Sequence, residues 1–405
     1  MANTFTPTDV YGIVNTMASE MFGANNTLTA INTSTFQTIG EHMLRAGYTN
    51  TLDALSNVIG RTVIAVRRYN GRFKLIMRTP AEWGGIERKI SFYAKPLQAS
   101  GNYNTDINGT QLDDGQSIDH YKISKKYPLE LNFCGVKTLE YEDTTYISQL
   151  RLAFKDENSF SDFVSGKLVD IANDIESKIE AENRLMVLNA IGATYNVGAT
   201  RQKVNLTAEF NSKYGTSYTT AQLLTTYLAD FVAFMVARIQ GDMELMRDRN
   251  ELFHIYPARN DDAGNALQLL RHTPPEMRRL ILYMPLIRDE EKNVFPSLFN
   301  DSYLKLENYE GVEYWQNPNV PMAVSVTPNQ LDVATGQSAN GSAVTEDNIV
   351  GLLFDRDALE MSIKHESSLT TPVNARGEYY NTYYHWSMMY KQDQTENMIL
   401  YYMAD

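Results

Sequence analysis

The chain has 405 residues, a net charge of −13 at pH 7 and an ordinary apolar content of 43%. This length exceeds what one compact core usually holds, so we expect two or more domains, or a core with long extensions. The acidic balance argues against a protein whose main task is to grip phosphate backbones, because such binding needs clustered lysine and arginine.

The first 60 residues predict short helices separated by turn residues. Thr6 can cap the first helix and Pro7 suits its first position, and two further short helices are predicted around Phe36 and Leu52. This pattern favours an arm with helical pieces over an independent domain. No Lys or Arg precedes Arg45, so we expect neither a secretory signal nor a basic arm that binds nucleic acid.

Residues 61–135 change to the alternation that is typical of strands. KISFYA (Lys89–Ala94) and HYKIS (His120–Ser124) predict strands that flank the polar stretch LQASGNYNTDINGTQLDDGQS (Leu97–Ser117). That stretch is longer than the ~12–15 residues of most connections. It is either a disordered surface loop or the tip of a projecting hairpin, Gly101–Gly115, that settles against another subunit. The candidate subunit-contact residues of the second interpretation are Tyr103, Asn104, Asp106, Asn108, Asp113 and Asp114.

A long amphipathic helix is the clearest predicted element. It begins at a cap, Asn158 or Ser159, ends near Gly192, and gains support from i, i+4 ion pairs such as Glu180 with Arg184. About thirty residues would make a rod of roughly 45 Å. Its apolar stripe has no sustained heptad and its charge is too high for a membrane, so a spine that lies along a sheet is favoured. The residues predicted to pack this spine are Phe160, Phe163, Leu168, Ile171, Ile175 and Ile179.

Residues 201–345 predict a region of mixed type. Apolar residues from Leu223 to Ile239 keep helical spacing, whereas LFHIYP (Leu252–Pro257) and RRLILYMPLI (Arg278–Ile287) predict buried strands. The loop Thr335–Asp347 is expected to lead back to the preceding domain.

Residues 346–405 return to strands. Ile349–Phe354, the aromatic stretch Thr371–Tyr390 and Met398–Met403 each predict one, and Gln392–Glu396 is expected to link the last two as a hairpin. Aromatic side chains suit a pleated, half-buried surface on which they pair across strands. The residues predicted to form the core of this C-terminal sheet are Tyr380, Tyr384, Trp386 and Tyr401.

The sequence shows no recognisable catalytic or metal-binding pattern. Six histidines are scattered without metal-binding spacing, and no phosphate loop, GxGxxG or GxSxG occurs. Cys134, the only cysteine, lies in the apolar stretch LNFCGV and is predicted to be a small buried hydrophobe rather than a nucleophile. No apolar run approaches the ~20 residues that span a bilayer. We therefore predict no catalytic residues, no cofactor, no metal and no membrane span.

The order of the predicted parts is distinctive, and so are four stretches of the sequence. These stretches are NTLDALSNVIGRTV (Asn50–Val63), EAENRLMVLNAIGATY (Glu180–Tyr195), GLLFDRDALEM (Gly351–Met361) and TPVNARGEYYNTYYHW (Thr371–Trp386). In these features the chain resembles the major capsid proteins of tailed bacteriophages, with the fold first described for phage Hong Kong 97. The resemblance implies an α+β fold. Its parts would be an N-terminal arm (1–60), an extended β-hairpin loop with flanking strands (61–135), a peripheral domain with the spine helix (136–200), an inserted axial domain (201–345) and C-terminal strands that return to the peripheral domain (346–405).

The resemblance also implies a function. The chain would be a structural protein, not an enzyme, that assembles through pentamers and hexamers into the icosahedral head shell around double-stranded DNA. Assembly would take place in the host bacterial cytoplasm, with a separate scaffolding protein and a portal as partners and without sequence-specific DNA binding. We predict no covalent cross-links.

Two alternatives stay open at this point. An encapsulin-type compartment shell has the same fold but would co-purify with cargo protein instead of DNA. A binding protein or enzyme with an aromatic platform would bind its ligand as a monomer, without assembly.

Overall fold

The computed structural model describes residues 7–23, 29–46, 72–78, 86–94, 121, 125–155, 157–199, 201–262, 264–288 and 308–405. Helices and strands are both well represented in this part of the chain, so the predicted α+β class is confirmed. The chain folds into two compact units. The first unit is Met1–Gly85, Gly135–Arg184 and Met361–Tyr390, and the second is Ile86–Cys134, Leu185–Glu360 and Lys391–Asp405.

The described helices range from single turns to a rod of 41 residues. They are α1 (Pro7–Phe22), α2 (Thr33–Ala46), α3 (Ile147–Ala153), α4 (Glu157–Val197), α5 (Leu206–Tyr214), α6 (Thr220–Leu223), α7 (Leu228–Arg247) and α8 (Pro285–Arg288). The described strands are β1 (Met77–Arg78), β2 (Glu87–Phe92), β3 (Pro128–Phe133), β4 (Gly135–Tyr146), β5 (Lys203–Asn205), β6 (Arg278–Tyr283), β7 (Tyr309–Val312), β8 (Val324–Val326), β9 (Asn329–Leu331), β10 (Ser338–Asn340), β11 (Val344–Glu346), β12 (Ile349–Asp355), β13 (Leu359–Thr370), β14 (Tyr379–Gln392) and β15 (Met398–Tyr402).

The first unit is built on a four-stranded sheet in the order β1-β13-β14-β4. β14 runs antiparallel to β4, from Tyr379 opposite Tyr146 to Tyr390 opposite Gly135. Nearly every second residue of β14 is buried, which is the period expected when helices cover one side of a strand. Helices α1, α2, α3 and the first part of α4 share one apolar cluster with that side.

The second unit is built on a five-stranded sheet in the order β5-β15-β12-β6-β7. β12 is antiparallel to both neighbours, and the short edge strands β5 and β7 are parallel to theirs. Helices α5 and α7 share an apolar cluster with this sheet. Asn205 caps α5 by accepting a hydrogen bond from the Thr207 amide at 3.1 Å, and Gly215 ends the helix with φ of 64°. Three two-stranded ribbons, β2-β3, β8-β11 and β9-β10, complete the described strands of this unit.

The spine helix is longer than predicted. α4 runs through Gly192 to Val197, so the prediction of an end near Gly192 was wrong. A Cβ at this position would lie 2.6 Å from Cγ1 of Val326 and 3.2 Å from Pro328. The glycine therefore permits a close approach of other residues to the helix instead of ending it.

The prediction that β14 and β15 form a C-terminal hairpin was wrong. β14 pairs with β4 in the first unit, whereas β15 pairs with β12 and β5 in the second. Residues 393–397 therefore lead from one sheet to another instead of folding β15 back onto β14. The physical reason is that β15 is apolar along its whole buried length and pairs within a sheet that is covered on both sides.

The unit boundaries also differ from the predicted domain boundaries. Only 361–390 of the predicted C-terminal return joins the first unit, because β12 and β15 pair with strands of the second. Likewise, 86–134 of the predicted hairpin region belongs to the second unit.

Three smaller predictions need correction. Leu252–Pro257 forms no strand; instead, single backbone bonds hold it, as when the Met398 amide donates to the Phe253 carbonyl at 2.7 Å. The strand that pairs with β2 is β3, Pro128–Phe133, and not the predicted His120–Ser124, of which only Tyr121 is described. Cys134 is exposed, because it lies between two strands at the surface of its unit.

Other predictions lie outside the described residues. These are the third short helix around Leu52 and the beginning, at residue 61, of the predicted strand-type alternation. The stretch RRLILYMPLI, which was predicted to form one buried strand, is described and forms two elements. They are β6, which ends at Tyr283, and the single turn α8.

Candidate assembly surface

The ribbon of β2 and β3 lies in sequence on either side of the long polar segment, for which contact with another subunit is one of the two interpretations given above. Its strands pair antiparallel from Glu87 opposite Phe133 to Phe92 opposite Pro128. The candidate contact residues themselves lie outside the described residues: Tyr103, Asn104, Asp106, Asn108, Asp113 and Asp114. The described part of the candidate surface is therefore the ribbon, together with the groups that fix it to the rest of the second unit.

Lys89 on β2 lies at the centre of a nearly buried ionic cluster. Its ammonium contacts the carboxylates of Asp393 and Glu396, and the Asp393 side chain is only 1% exposed. Arg271 lies 3.5 Å from Glu396 and donates to the Ser91 hydroxyl at 2.8 Å. Two cations thus share two carboxylates, and the inward side of β2 is fixed to the turn that precedes β15.

A third cation strengthens the same side of the ribbon. The ammonium of Lys391, at the end of β14, contacts the Glu87 carboxylate and lies 3.7 Å from that of Glu360. It also lies 5.4 Å from the ring centroid of Phe133 on β3. Charge pairing and a cation–π contact therefore act together on both strands.

Burial changes the acid–base behaviour of this cluster. It raises the pKa of Glu396, because desolvation disfavours the carboxylate more than the Lys89 and Arg271 charges favour it. Tyr93, which follows β2, also has a raised pKa, mainly through burial. Its hydroxyl donates to the Pro257 carbonyl at 2.7 Å, and the next amide, that of Ala94, donates to the Gln268 carbonyl at 2.6 Å. The ribbon end is thus bonded to the irregular loops of its unit.

Local sequence patterns do not reveal this cluster. Lys89 was placed in a strand and Asp393 and Glu396 in a turn, but more than 300 residues separate them, so no local spacing could pair them. One signal was available. Glu87 and Lys89 lie on the side of the strand opposite to Ile90 and Phe92, and this alternation predicts a charged side that needs partners.

The residues predicted to pack the spine helix lie in the first unit. Phe160, Ile171, Ile175 and Ile179 are buried in its apolar cluster, and Phe163 packs against that cluster half-buried. The Phe160 ring lies 5.7 Å from Phe36 and 5.2 Å from Phe154. The side chain of Leu168 lies outside the described groups.

The four aromatic residues predicted for one sheet are divided between two. Tyr380, Tyr384 and Trp386 are buried in the first unit, where the last two rings stack at 5.9 Å. Tyr401 is buried in the second unit, and its hydroxyl donates to Asp242 at 2.9 Å. Burial and the Asp242 carboxylate raise the pKa of Tyr401 far above its ordinary value.

The contacts described above are apolar packing, hydrogen bonds and ion pairs among the described residues. Among them, no three His, Cys, Asp or Glu side chains lie together as metal ligands would. Likewise, none of the described helices combines the length and the apolar character that crossing a membrane requires.

Comparison with known proteins identifies the architecture. A capsid structure of Staphylococcus phage Andhra superimposes with a TM-score of 0.51 and 9% sequence identity, over 84% of each chain. The structure of the head fiber and inner core protein gp22 of native bacteriophage P68 gives 0.48 and 10%, over 82% of this chain and 85% of that one. The capsid structure of cyanophage P-SCSP1u gives 0.43 and 14%, over 82% and 86%. At such low identity the Andhra similarity shows the fold alone, and it is a capsid fold.

The family comparison carries the assignment further. No curated protein matches the sequence. The sequence pattern of one family, described as Phi29-like phage major capsid protein, matches residues 14–402, which is nearly the whole chain. The predicted resemblance is thereby confirmed: the chain belongs to the family of Phi29-like phage major capsid proteins, the structural shell proteins of tailed-phage heads.

Proposed function

We propose that this chain builds a closed icosahedral head shell, through pentamers and hexamers of itself, around the double-stranded DNA of a tailed phage. The observation that carries the proposal is the family match over residues 14–402. The role is structural and involves no enzymatic reaction. Assembly takes place in the host bacterial cytoplasm, with a scaffolding protein and a portal as partners.

The charge of the chain supports a container rather than a DNA-binding protein. A net charge of −13 gives the subunit a field that repels phosphate backbones over the Debye length of about 8–10 Å. Packaged DNA would therefore be confined by the shell and not bound by sequence-specific contacts.

Each of the two units is proposed to correspond to one domain of a capsid subunit. The first unit, with the aromatic sheet and the first part of the spine helix, is proposed as the peripheral domain. The second unit, with the five-stranded sheet, is proposed as the axial domain that meets its copies around five-fold and six-fold positions. The segment Gly101–Gly115 is proposed to contact a neighbouring subunit from the ion-paired ribbon of β2 and β3.

The first experiment is electron microscopy of the expressed chain, with and without its scaffolding protein, after sizing by sedimentation. Closed shells, tubes or rings of five and six copies are expected. A monodisperse monomer under every condition would overturn the proposal.

A deletion tests the role of the polar segment. Removal of Gly101–Gly115 should leave a folded subunit, because the described cores do not include it, but should abolish closed shells. The matched control replaces the same residues with a Gly/Ser sequence of equal length. Normal shells from the deletion variant would refute the proposed contact. Normal shells from the replacement variant alone would show that the contact does not depend on the named side chains.

A further inference from the structure

Three side chains of the ionic cluster are the groups from which an amide bond can form. The Lys89 ammonium contacts Oδ2 of Asp393 and Oε1 of Glu396, and it also lies 3.3 Å from the Thr395 hydroxyl. The lysine nitrogen therefore lies next to Cγ of Asp393, the carbon that a nucleophile attacks. When an amine and a carboxyl group are held in a reactive orientation, the effective concentration of one at the other reaches about 10⁵–10⁸ M.

The other oxygen of the Asp393 carboxyl group is held by two donors. Oδ1 accepts hydrogen bonds from the Thr395 amide at 2.9 Å and from the Thr395 hydroxyl at 2.6 Å. Donors in these positions stabilise the negative charge that develops on a carbonyl oxygen when its carbon is attacked. They leave Oδ2, the oxygen that contacts Lys89, as the one that can depart.

Water is largely excluded from these three groups. The side chains of Asp393, Glu396 and Lys89 are 1%, 12% and 18% exposed. A site without water favours the loss of a water molecule and protects the product from hydrolysis. Lys137 of the first unit provides a contrast, because its ammonium lies 2.6 Å from the Glu182 carboxylate but its side chain is 49% exposed. That ion pair lacks the dry surroundings of the Lys89 pair.

We propose that the chain forms an isopeptide bond between Nζ of Lys89 and Cγ of Asp393, with Glu396 as the group that transfers a proton. Glu396 takes one proton from the ammonium, and the lone pair of the neutral nitrogen then forms the C–N bond. The bond from Cγ to Oδ2 breaks and its electron pair stays on Oδ2. This oxygen leaves as water, with the proton that Glu396 returns and a second proton from the nitrogen. An ammonium and a carboxylate thus become an amide and one water, so no oxidant or further reactant is needed.

Two observations fit this role of Glu396. Burial raises its pKa, so Glu396 holds a proton more readily than an exposed glutamate and can both accept one and return it. Arg271 lies 3.5 Å from Glu396 and stays as the partner of this carboxylate after the charge of Lys89 has been lost. The second cation of the cluster thereby prevents an unpaired buried charge in the product.

The bond lies within one copy and connects β2 to the turn before β15, across 304 residues of sequence. It departs from the prediction, made from local sequence patterns, that the chain forms no covalent cross-links. Closure of so long a loop limits the freedom of the unfolded chain and holds the ribbon to its unit even where salt screens the ion pairs. The bond forms in the isolated chain, so the inference holds or fails independently of shell assembly.

Mass spectrometry of the purified full-length chain tests the bond. The intact wild type is expected to be lighter than its sequence by one water molecule in most copies. Trypsin should release a branched peptide that joins residues 89–122 to residues 392–405, because it does not cleave after a modified Lys89 or before Pro96. A full sequence mass in folded, aged protein would overturn the inference. A loss of water that maps to a linear peptide, as in an aspartate succinimide, would overturn it as well.

Three substitutions separate the roles of the groups. Lys89→Arg keeps the positive charge but removes the amine, so its measured mass should equal its sequence mass. In Glu396→Gln the bond should form on the order of a hundredfold more slowly than in the wild type, which is the usual contribution of a positioned proton-transfer group. A pulse of isotope-labelled amino acids during expression gives these rates. Lys137→Arg is the matched control, and it should lose water as the wild type does.

The same variants can contradict the proposal. Loss of water from Lys89→Arg would place the reaction at another residue, and failure of Lys137→Arg to lose water would do the same. An unchanged rate in Glu396→Gln would refute proton transfer by Glu396. If circular dichroism shows that Glu396→Gln does not fold, Glu396→Asp supplies the comparison, because it keeps the carboxyl group but withdraws it from Lys89 and should also slow the reaction.

Discussion

The central strands of the two large sheets are covered differently. β14 of the first unit buries Tyr384 and Trp386, while the alternate residues Tyr383 and His385 lie half-buried on the other side. β12 of the second unit is buried along its whole length. The first sheet therefore has one covered side and one polar side, whereas the second is covered on both sides.

Cross-strand bonds replace apolar packing on the polar side of the first sheet. The Thr144 hydroxyl donates to Asn381 at 2.9 Å, and the hydroxyls of Thr138 and Ser387 lie 2.9 Å apart. Such pairs contribute a few tenths of a kcal/mol to about 1 kcal/mol each. Substitutions on the polar side of β14 should therefore cost little, whereas β12 has no side on which this is expected.

The largest effect is expected on β12, the central strand of the five-stranded sheet. Phe354→Ala removes a fully buried ring and should lower the free energy of unfolding by about 3–5 kcal/mol, because transfer and cavity costs add. Hydrogen exchange should show faster opening of β12 and β15, with β14 less affected. Equal loss of protection in both sheets would refute the comparison, because the two cores would then open together.

The next effect tests the ionic attachment of the ribbon. Lys89→Met leaves Asp393 buried beside Glu396 without its nearest cation, and we expect a loss of about 3 kcal/mol. The value lies at the low end for buried pairs, because Lys89 is 18% exposed and Arg271 remains near Glu396. Amides of β2 should exchange faster in the variant.

The neighbouring residue on the same strand supplies the control. Arg88 pairs with Glu130 at the surface, with side chains 59% and 44% exposed. Arg88→Met should therefore lower the free energy of unfolding far less than Lys89→Met does. If the two variants lose equal stability, the contrast between the inward and outward sides of the ribbon is wrong.

The sequence predicts single elements of this fold better than their partners. The spine helix and β12 have strong periodic or continuous apolar patterns, and both are found close to their predicted positions. β4 was missed, because its residues Lys137–Thr144 are mostly polar and its only signal is a weak alternation of Leu139 and Tyr141. Its pairing with β14 depends on contacts more than 230 residues apart in sequence.

The ends of elements and the choice of sheet are decided by tertiary contacts. Gly192 has the residue type of a helix stop, but neighbours that approach it closely explain its presence inside α4. β14 and β15 are separated by a turn-like sequence, yet they do not pair with each other. β14 pairs with β4 in one sheet, and β15 pairs with β12 in another. The ionic cluster of the candidate surface follows from these long-range choices, which is why local patterns did not reveal it.

A third, pH-dependent effect concerns the polar residues inside the second unit. His254 is buried, with Nε2 2.8 Å from the Leu269 carbonyl and Nδ1 3.1 Å from Asn397. Burial holds the pKa of His254 below its ordinary value of 6.5; the charge of Arg271 acts in the same direction, while the two hydrogen bonds and Glu251 oppose it.

The sign of the pH effect follows from proton binding. Between the lowered pKa and 6.5 the unfolded chain binds a proton at His254 that the folded chain does not, so stability falls as pH falls through this window. Urea unfolding at a series of pH values should show a shallower fall for His254→Gln than for the wild type. If the stability of the variant and of the wild type changes in parallel with pH, the buried His254 does not set the pH dependence of the second unit.

The smallest effect is expected on the polar side of the first sheet. Tyr383 contacts Glu142 only through a weak hydrogen bond at 3.4 Å, and threonine has a high propensity for strands, so Tyr383→Thr should change stability by less than about 1 kcal/mol. The adjacent residue, Tyr384, is 4% exposed and points into the apolar cluster, so Tyr384→Thr should cost several times more. Both changes in the free energy of unfolding should be measured by denaturant unfolding with a probe in the first unit. Equal costs at the two positions would mean that the polar side is also covered, and the difference between the two sheets would disappear.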